Sequence, residues 1–207
     1  MRFSSSLAVA ALATLASARM TPRASRNDGA NARSAHPDHE NDKPFILQTR
    51  VKEGDYPGHN GLYVYAYHTG AGLNDAMLDP QESVGNNGTA FTSDISDRFF
   101  VVLYDLAGSP YELEPATGTT PYPDLLPVRI NVDGAPPSSS NAFYFAYNTL
   151  RWTNNINTMS GFGGWLACKS EHGSLENLSV PGVQLFYRST PGPTPEDCSD
   201  VDLVPIY

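Results

Sequence analysis

Basic residues are scarce in this sequence. From Pro44 to the C-terminus seven Lys and Arg stand against eighteen Asp and Glu, a balance near −11. A surface of that sign repels phosphate backbones and anionic lipid headgroups, so it argues against nucleic acid as a partner. The few cations sit singly along the chain, and no basic run offsets the deficit. Cysteine is rarer still: Cys168 and Cys198 are the two in the chain. They stand too far apart for a CxxC redox pair, and two thiols alone make a poor structural metal site. In an oxidising compartment such a pair forms a disulfide, with free buried thiols as the alternative. Closing a loop of this length contributes about 3–4 kcal/mol in the chain-entropy picture.

Long apolar runs are missing as well. The longest, Leu7 to Leu15, is too short to span a bilayer. It follows Met1-Arg2 and precedes Ala16-Ser17-Ala18, the layout of a signal peptide over residues 1–18. A buried or membrane-inserted first helix is the competing reading. Residues 19–43 carry Pro22, Asn27, Asp28, Gly29, His36, Asp38, His39 and Glu40 with almost nothing to bury. That composition predicts a disordered N-terminal tail or a propeptide. His36 and His39 touch a metal only weakly there, since nothing fixes them. No GxSxG elbow, HExxH helix, P-loop, dinucleotide fingerprint or EF-hand loop occurs, and no cofactor or metal is implied.

Helical periodicity is nearly absent too, and what is present is strand. The clearest alternation is Gly61-Leu62-Tyr63-Val64-Tyr65-Ala66-Tyr67-His68. Leu62, Val64, Ala66 and His68 share one side of an extended strand, and Tyr63, Tyr65 and Tyr67 the other. Phe45–Val51 opens the domain as a strand, and Phe99–Tyr104, without polar alternation, is the candidate for the middle of a sheet. Further strands are expected near Ala90–Thr92, Val128–Val132, Ala142–Asn148 (extended by Arg151–Thr153), Gly164–Cys168, Gly182–Tyr187 and Val201–Ile206. Leu73–Leu78 reads as one helical turn capped by Asn74. Prolines fall between these runs. The fold class is therefore all-β: one domain over 44–207, a sandwich or barrel of about eight to ten short strands with at most one short helix.

Three constellations invite a functional reading, each beside a structural one. His68 with Asp75 and Asp79 has the residue types of a general base or metal site, yet a histidine ending an apolar strand face is ordinarily structural. Trp165, Cys168, Glu171 and His172 lose any nucleophile once the cysteine is bridged, and the Trp165 ring is expected against that bridge. Eleven tyrosines, nine phenylalanines and two tryptophans supply aromatic surface. An exposed Tyr63, Tyr65, Tyr67 strip with His68 and Asp75 would stack on sugar rings, whereas the structural alternative uses those rings to fill a small core. Asn87-Gly88-Thr89 and Asn177-Leu178-Ser179 are glycosylation sequons in turn-like stretches.

The segments Phe45–Val51, Tyr67–Ala76, Trp165–Cys168 and Val183–Phe186 resemble a family of small secreted fungal proteins carrying a domain of unknown function. The resemblance covers Pro44 to the C-terminus. It implies a signal peptide, one β-rich domain and a cysteine pair near the end, and it names no activity, ligand or catalytic residue. The chain departs from it by extra residues between His172 and Gln184, which puts a role for His172 in doubt. The functional expectation is a secreted, extracellular or wall-associated protein, more a binder than an enzyme, whose partner is a polysaccharide or a surface protein. A secreted hydrolase working through carboxylates or His68, and a purely structural surface protein, are the alternatives.

Overall fold

The Gly70-Ala71-Gly72 turn decides the first hairpin. Gly72 takes φ +72°, a left-handed conformation open to glycine, and so folds the chain back on itself. Leu73–Asp79 then becomes strand β3, paired antiparallel with β2 (Tyr63–Gly70) through Tyr63↔Asp79, Tyr65↔Met77 and Tyr67↔Asp75. This corrects the helical turn expected at Leu73–Leu78. An antiparallel ladder, with further strands on the far edge of Leu73–Asp79, pairs more backbone groups than one isolated helical turn could. The short helix α1 comes later, at Gln81–Val84, and runs into a 3₁₀ turn at Gly85–Gly88.

The computed structural model describes residues 43–53, 58–118, 120–132, 141–157, 163–170 and 182–207. All lie within one compact unit, Pro37–Tyr207. The signal peptide expected over 1–18, most of the 19–43 tail, Glu171, His172 and the sequon at Asn177 fall outside the described residues. Among the described residues twelve strands are present, more than the eight to ten expected. The remaining ten are β1 (Ile46–Glu53), β4 (Ala90–Asp94), β5 (Phe100–Leu106), β6 (Ser109–Pro115), β7 (Leu126–Asn131), β8 (Ala142–Ala146), β9 (Thr149–Thr153), β10 (Trp165–Ser170), β11 (Gly182–Tyr187) and β12 (Cys198–Ile206). Part of the excess arises because Arg151–Thr153 does not extend β8. Tyr147 and Asn148, at φ +53° and +59°, make a tight turn, and β9 pairs back through Phe143↔Trp152.

The pairings run β10-β12-β1-β2-β3-β11, and β10 pairs again with β11, which closes a six-stranded ring. Strand β7 enters the fork between β3 and β11 and carries β6 and β5 with it. Strands β4 and β8 pair with β5, and β9 returns to lie beside β12. The result is sandwich-like, with one continuous sheet turning back over itself. All twelve strands send at least one side chain into the main core, from Leu47 and Val64 to Leu185 and Val201. As expected, β5 is covered on both faces, with Val101 and Val102 fully buried; it is an interior strand, though nearer one end of the sheet than its middle. Trp165 stacks on Phe143 and meets Tyr187 edge-on at 4.9 Å, and its indole N–H donates to the Leu150 carbonyl at 2.7 Å.

Cys168 and Cys198 are bonded, and they sit directly opposite each other on β10 and β12. The bridge lies in a smaller cluster with Leu125, Leu166 and Phe186, on the other side of β10 from Trp165. The expected contact of the Trp165 ring with the bridge is therefore corrected: three residues along a strand is an odd step, and the pleat sends the two side chains to opposite faces. Among the described residues no helix is long and apolar enough to cross a membrane.

Candidate functional site

The tyrosine face was the site marked out by the strand alternation, and it is mostly covered. Tyr65 is 9% exposed and packs with Met77 and Val84, while Tyr63 and Tyr67 lie half-buried against the same cluster. Helix α1 brings Val84 over the strand pair, so the rings meet protein rather than solvent. The Gln48 amide donates to the Tyr63 hydroxyl at 2.7 Å, and the Tyr65 hydroxyl donates to Asp79 at 3.4 Å. Burial, with the Asp79 charge beside it, raises the Tyr65 pKa to about 12. Burial likewise pushes the Asp79 carboxyl above its ordinary value; the Tyr65 hydrogen bond opposes this and Glu82 adds to it.

His68 leaves the constellation. It is exposed, lies opposite Asn74, and points to the face of β2 away from Tyr67. Asp75 lies opposite Tyr67 and opposite Arg129 of β7, and so belongs to the tyrosine face. The pairing of His68 with Asp75 or Asp79 is corrected by that alternation. Asn87 stands exposed in the 3₁₀ turn, on a surface a glycan can reach.

The group that the sequence does not reveal is built on β12. Asp200 and Asp202 both point away from the main core, alternating with Val201 and Leu203. Asp202, its side chain 11% exposed, meets Arg50 at 3.0 Å, Arg151 at 3.4 Å and Lys52 at 3.8 Å. Arg50 and Lys52 come from β1 and Arg151 from β9, so the carboxylate ties β1 to β9 where β9 lies beside β12. Lys52 also donates to the Gly163 carbonyl at 3.0 Å. Burial lowers the Lys52 pKa; Asp202 and Asp200 pull it back up, while Arg151 and Arg188 depress it further.

Two residues earlier, Asp200 holds Arg188 at 2.6 Å and accepts from the Thr194 hydroxyl. Arg188 further donates to the carbonyls of Gly192 and Pro193 at 2.6 and 3.1 Å. These bonds fix the segment 189–195 as one wall of a cleft of about 600 Å³, with Pro123–Leu126 as the other. Pro123, Asp124, Thr190, Pro191, Pro193 and Pro195 line it. Asp124 is exposed and takes φ +65°, a conformation that aspartate tolerates better than most residues. On the β12 side, His59 is buried with its Nδ1 3.0 Å from the Ser199 hydroxyl, and burial lowers its pKa below 6.5. Among the described residues no three His, Cys, Asp or Glu side chains gather as a metal would need.

Arg50, Lys52, Arg151 and Arg188 are spread over more than half the chain, and the pairing of β1 with β12, the return of β9 and the Arg188–Asp200 pair just beyond β11 assemble them. The signal available beforehand was weak: two acids alternating with Val201 and Leu203 in the last strand. A family model described as a domain of unknown function, DUF7907, matches residues 42–207. No curated protein and no solved structure matches the chain.

Proposed function

Since the chain belongs to the DUF7907 family, whose description carries no activity, we propose from the geometry that it is an exported, non-catalytic binding domain that holds an extracellular glycan. The observation that carries this reading is the cleft between Pro123–Leu126 and Arg188–Pro195. Its proline-rich wall is tied to the body of the domain through Arg188 and Asp200 before any ligand arrives. A wall already in place spares a ligand the entropy of ordering it. The lining suits a polyol: the Asp124 carboxylate accepts hydroxyl hydrogen bonds, Ser189 and Thr190 both donate and accept, and the proline rings offer C–H surface to an apolar sugar face. The tyrosine strip is not the site in this reading, because Tyr65 is buried.

Export rests on the 1–18 leader pattern together with the disulfide, which persists in oxidising compartments. Mass measurement of the mature chain, expected to begin after Ala18, tests this part. For the cleft, a panel of soluble polysaccharides is titrated against the wild type and the Asp124→Asn and Thr190→Ala variants. At least one glycan is expected to bind, with about a tenfold loss in each variant, the size of one lost hydrogen bond to a charged or buried group. Binding that both variants leave unchanged, or a panel without a binder, overturns it.

A further inference from the structure

Cations that crowd one carboxylate retain hydrogen-bonding capacity that it cannot absorb. Arg50 takes one oxygen of Asp202, while Lys52 and Arg151 share the other. Among the described residues, the other acceptor that these three bond is the Gly163 carbonyl. Glu53, opposite Asp200 and exposed, is a third acid at this face. Counting Arg188 with Asp200, four cations meet three acids here among the described residues, whereas the other described residues from Pro44 on carry three cations against eleven acids. Among the described residues the charge balance thus reverses at this face.

The arrangement is also preset. A Cβ at Gly163 would overlap the Arg151 guanidinium, so the bare Cα of this glycine gives Arg151 its seat while its carbonyl holds Lys52. Arg50, 58% exposed, is the arm that reaches solvent. We infer that Arg50, Lys52 and Arg151 form a receptor for an oxyanion, a carboxylate or sulfate group, seated beside Asp202. Guanidinium forks match the planar, two-oxygen edge of such a group and bind it bidentately. An arriving anion offsets the repulsion that Arg151 and Arg188 exert on Lys52. The group is carried either by a free small anion or by an acidic polysaccharide.

The test uses the mature protein in chloride buffer with sulfate, galacturonate and a short oligogalacturonate, followed by thermal unfolding and by NMR of the arginine side-chain N–H signals. A saturable rise in unfolding midpoint is expected, as for any ligand that binds only the folded state. Arg50→Gln should weaken it at least tenfold, while Arg98→Gln, an exposed arginine elsewhere, leaves it intact. Sulfate also stabilises proteins by exclusion from their surface, and the Arg50→Gln comparison separates that effect. Oligomer binding tighter than monomer assigns the polymer as source; equal binding assigns the free anion. Equal shifts in wild type and Arg50→Gln, or no saturable shift, overturn the inference. Asp124→Asn should leave the anion response unchanged, so failure of the cleft reading and failure of this one are told apart.

Discussion

The tyrosine face of β2 and β3 and the ion network on β12 have opposite histories. The first is local: three rings at alternate positions of one strand, visible in the sequence and looking like a binding surface. It turns out to be a small second core, closed by Val84 and Met77. The second is non-local, assembled from β1, β9, β12 and Arg188 just beyond β11, and Arg50 is its arm into solvent. Alternation reports which residues share a face, but not whether another element covers that face. Here α1 covers one, and at the other the return of β9 gathers charge.

Removing Asp202 is the sharpest way to break this contrast. Asp202→Ala leaves three cations without their shared partner at the seam of the sheet, and a loss of about 4 kcal/mol is expected in chemical denaturation. A loss under about 1 kcal/mol, typical of an exposed ion pair, would make the network a surface ornament rather than a staple. Tyr65→Ala, on the other face, should cost about 3 kcal/mol as a buried ring leaves a cavity, whereas Tyr65→Phe should cost well under 1 kcal/mol because its hydrogen bond is long. If alanine at position 65 is tolerated without loss, the rings are not core and the sugar-stacking strip returns as a reading.

Acid sharpens the comparison further. The unfolded His59 takes up a proton near 6.5, and the buried, folded one resists it. Stability is therefore lost as pH falls below about 6.5, because the unfolded chain binds the extra proton. His59→Gln should flatten the stability curve in that window, measured as unfolding midpoint against pH. The raised Asp79 acts in the opposite sense on the tyrosine face: its folded form holds a proton above the unfolded 3.8, so acidification towards that value removes a cost. The smallest expected effect is at His68. It is exposed, so His68→Gln should change stability by no more than about 0.5 kcal/mol and leave glycan binding as it was.

Much of the β architecture was legible beforehand. Phe45–Val51, Phe99–Tyr104, Gly182–Tyr187 and Val201–Ile206 lie within or overlap β1, β5, β11 and β12, because strand alternation and proline punctuation are local properties. Boundaries failed where turn geometry rules. The left-handed residues at Gly72 and at Tyr147-Asn148 made hairpins where a helical turn and a single long strand were expected. The cysteines were legible as a pair, since two cysteines have one way to bond to each other, but the pleat of β10 turns Trp165 to the face opposite their bridge.

By itself, the order of residues determined an acidic, helix-poor chain with one covalent cross-link and a strand-by-strand division of inward and outward side chains. Those are matters of composition and of a two-residue period, and neither depends on what lies nearby. Tertiary structure alone decided that Tyr65 is covered, that His68 and Asp75 part company, and that Arg50, Lys52, Arg151 and Arg188 stand together beside two carboxylates. The last of these depends on how strands distant in sequence return to one another. That return is set by the shared core of all twelve strands, not by any short stretch of the chain.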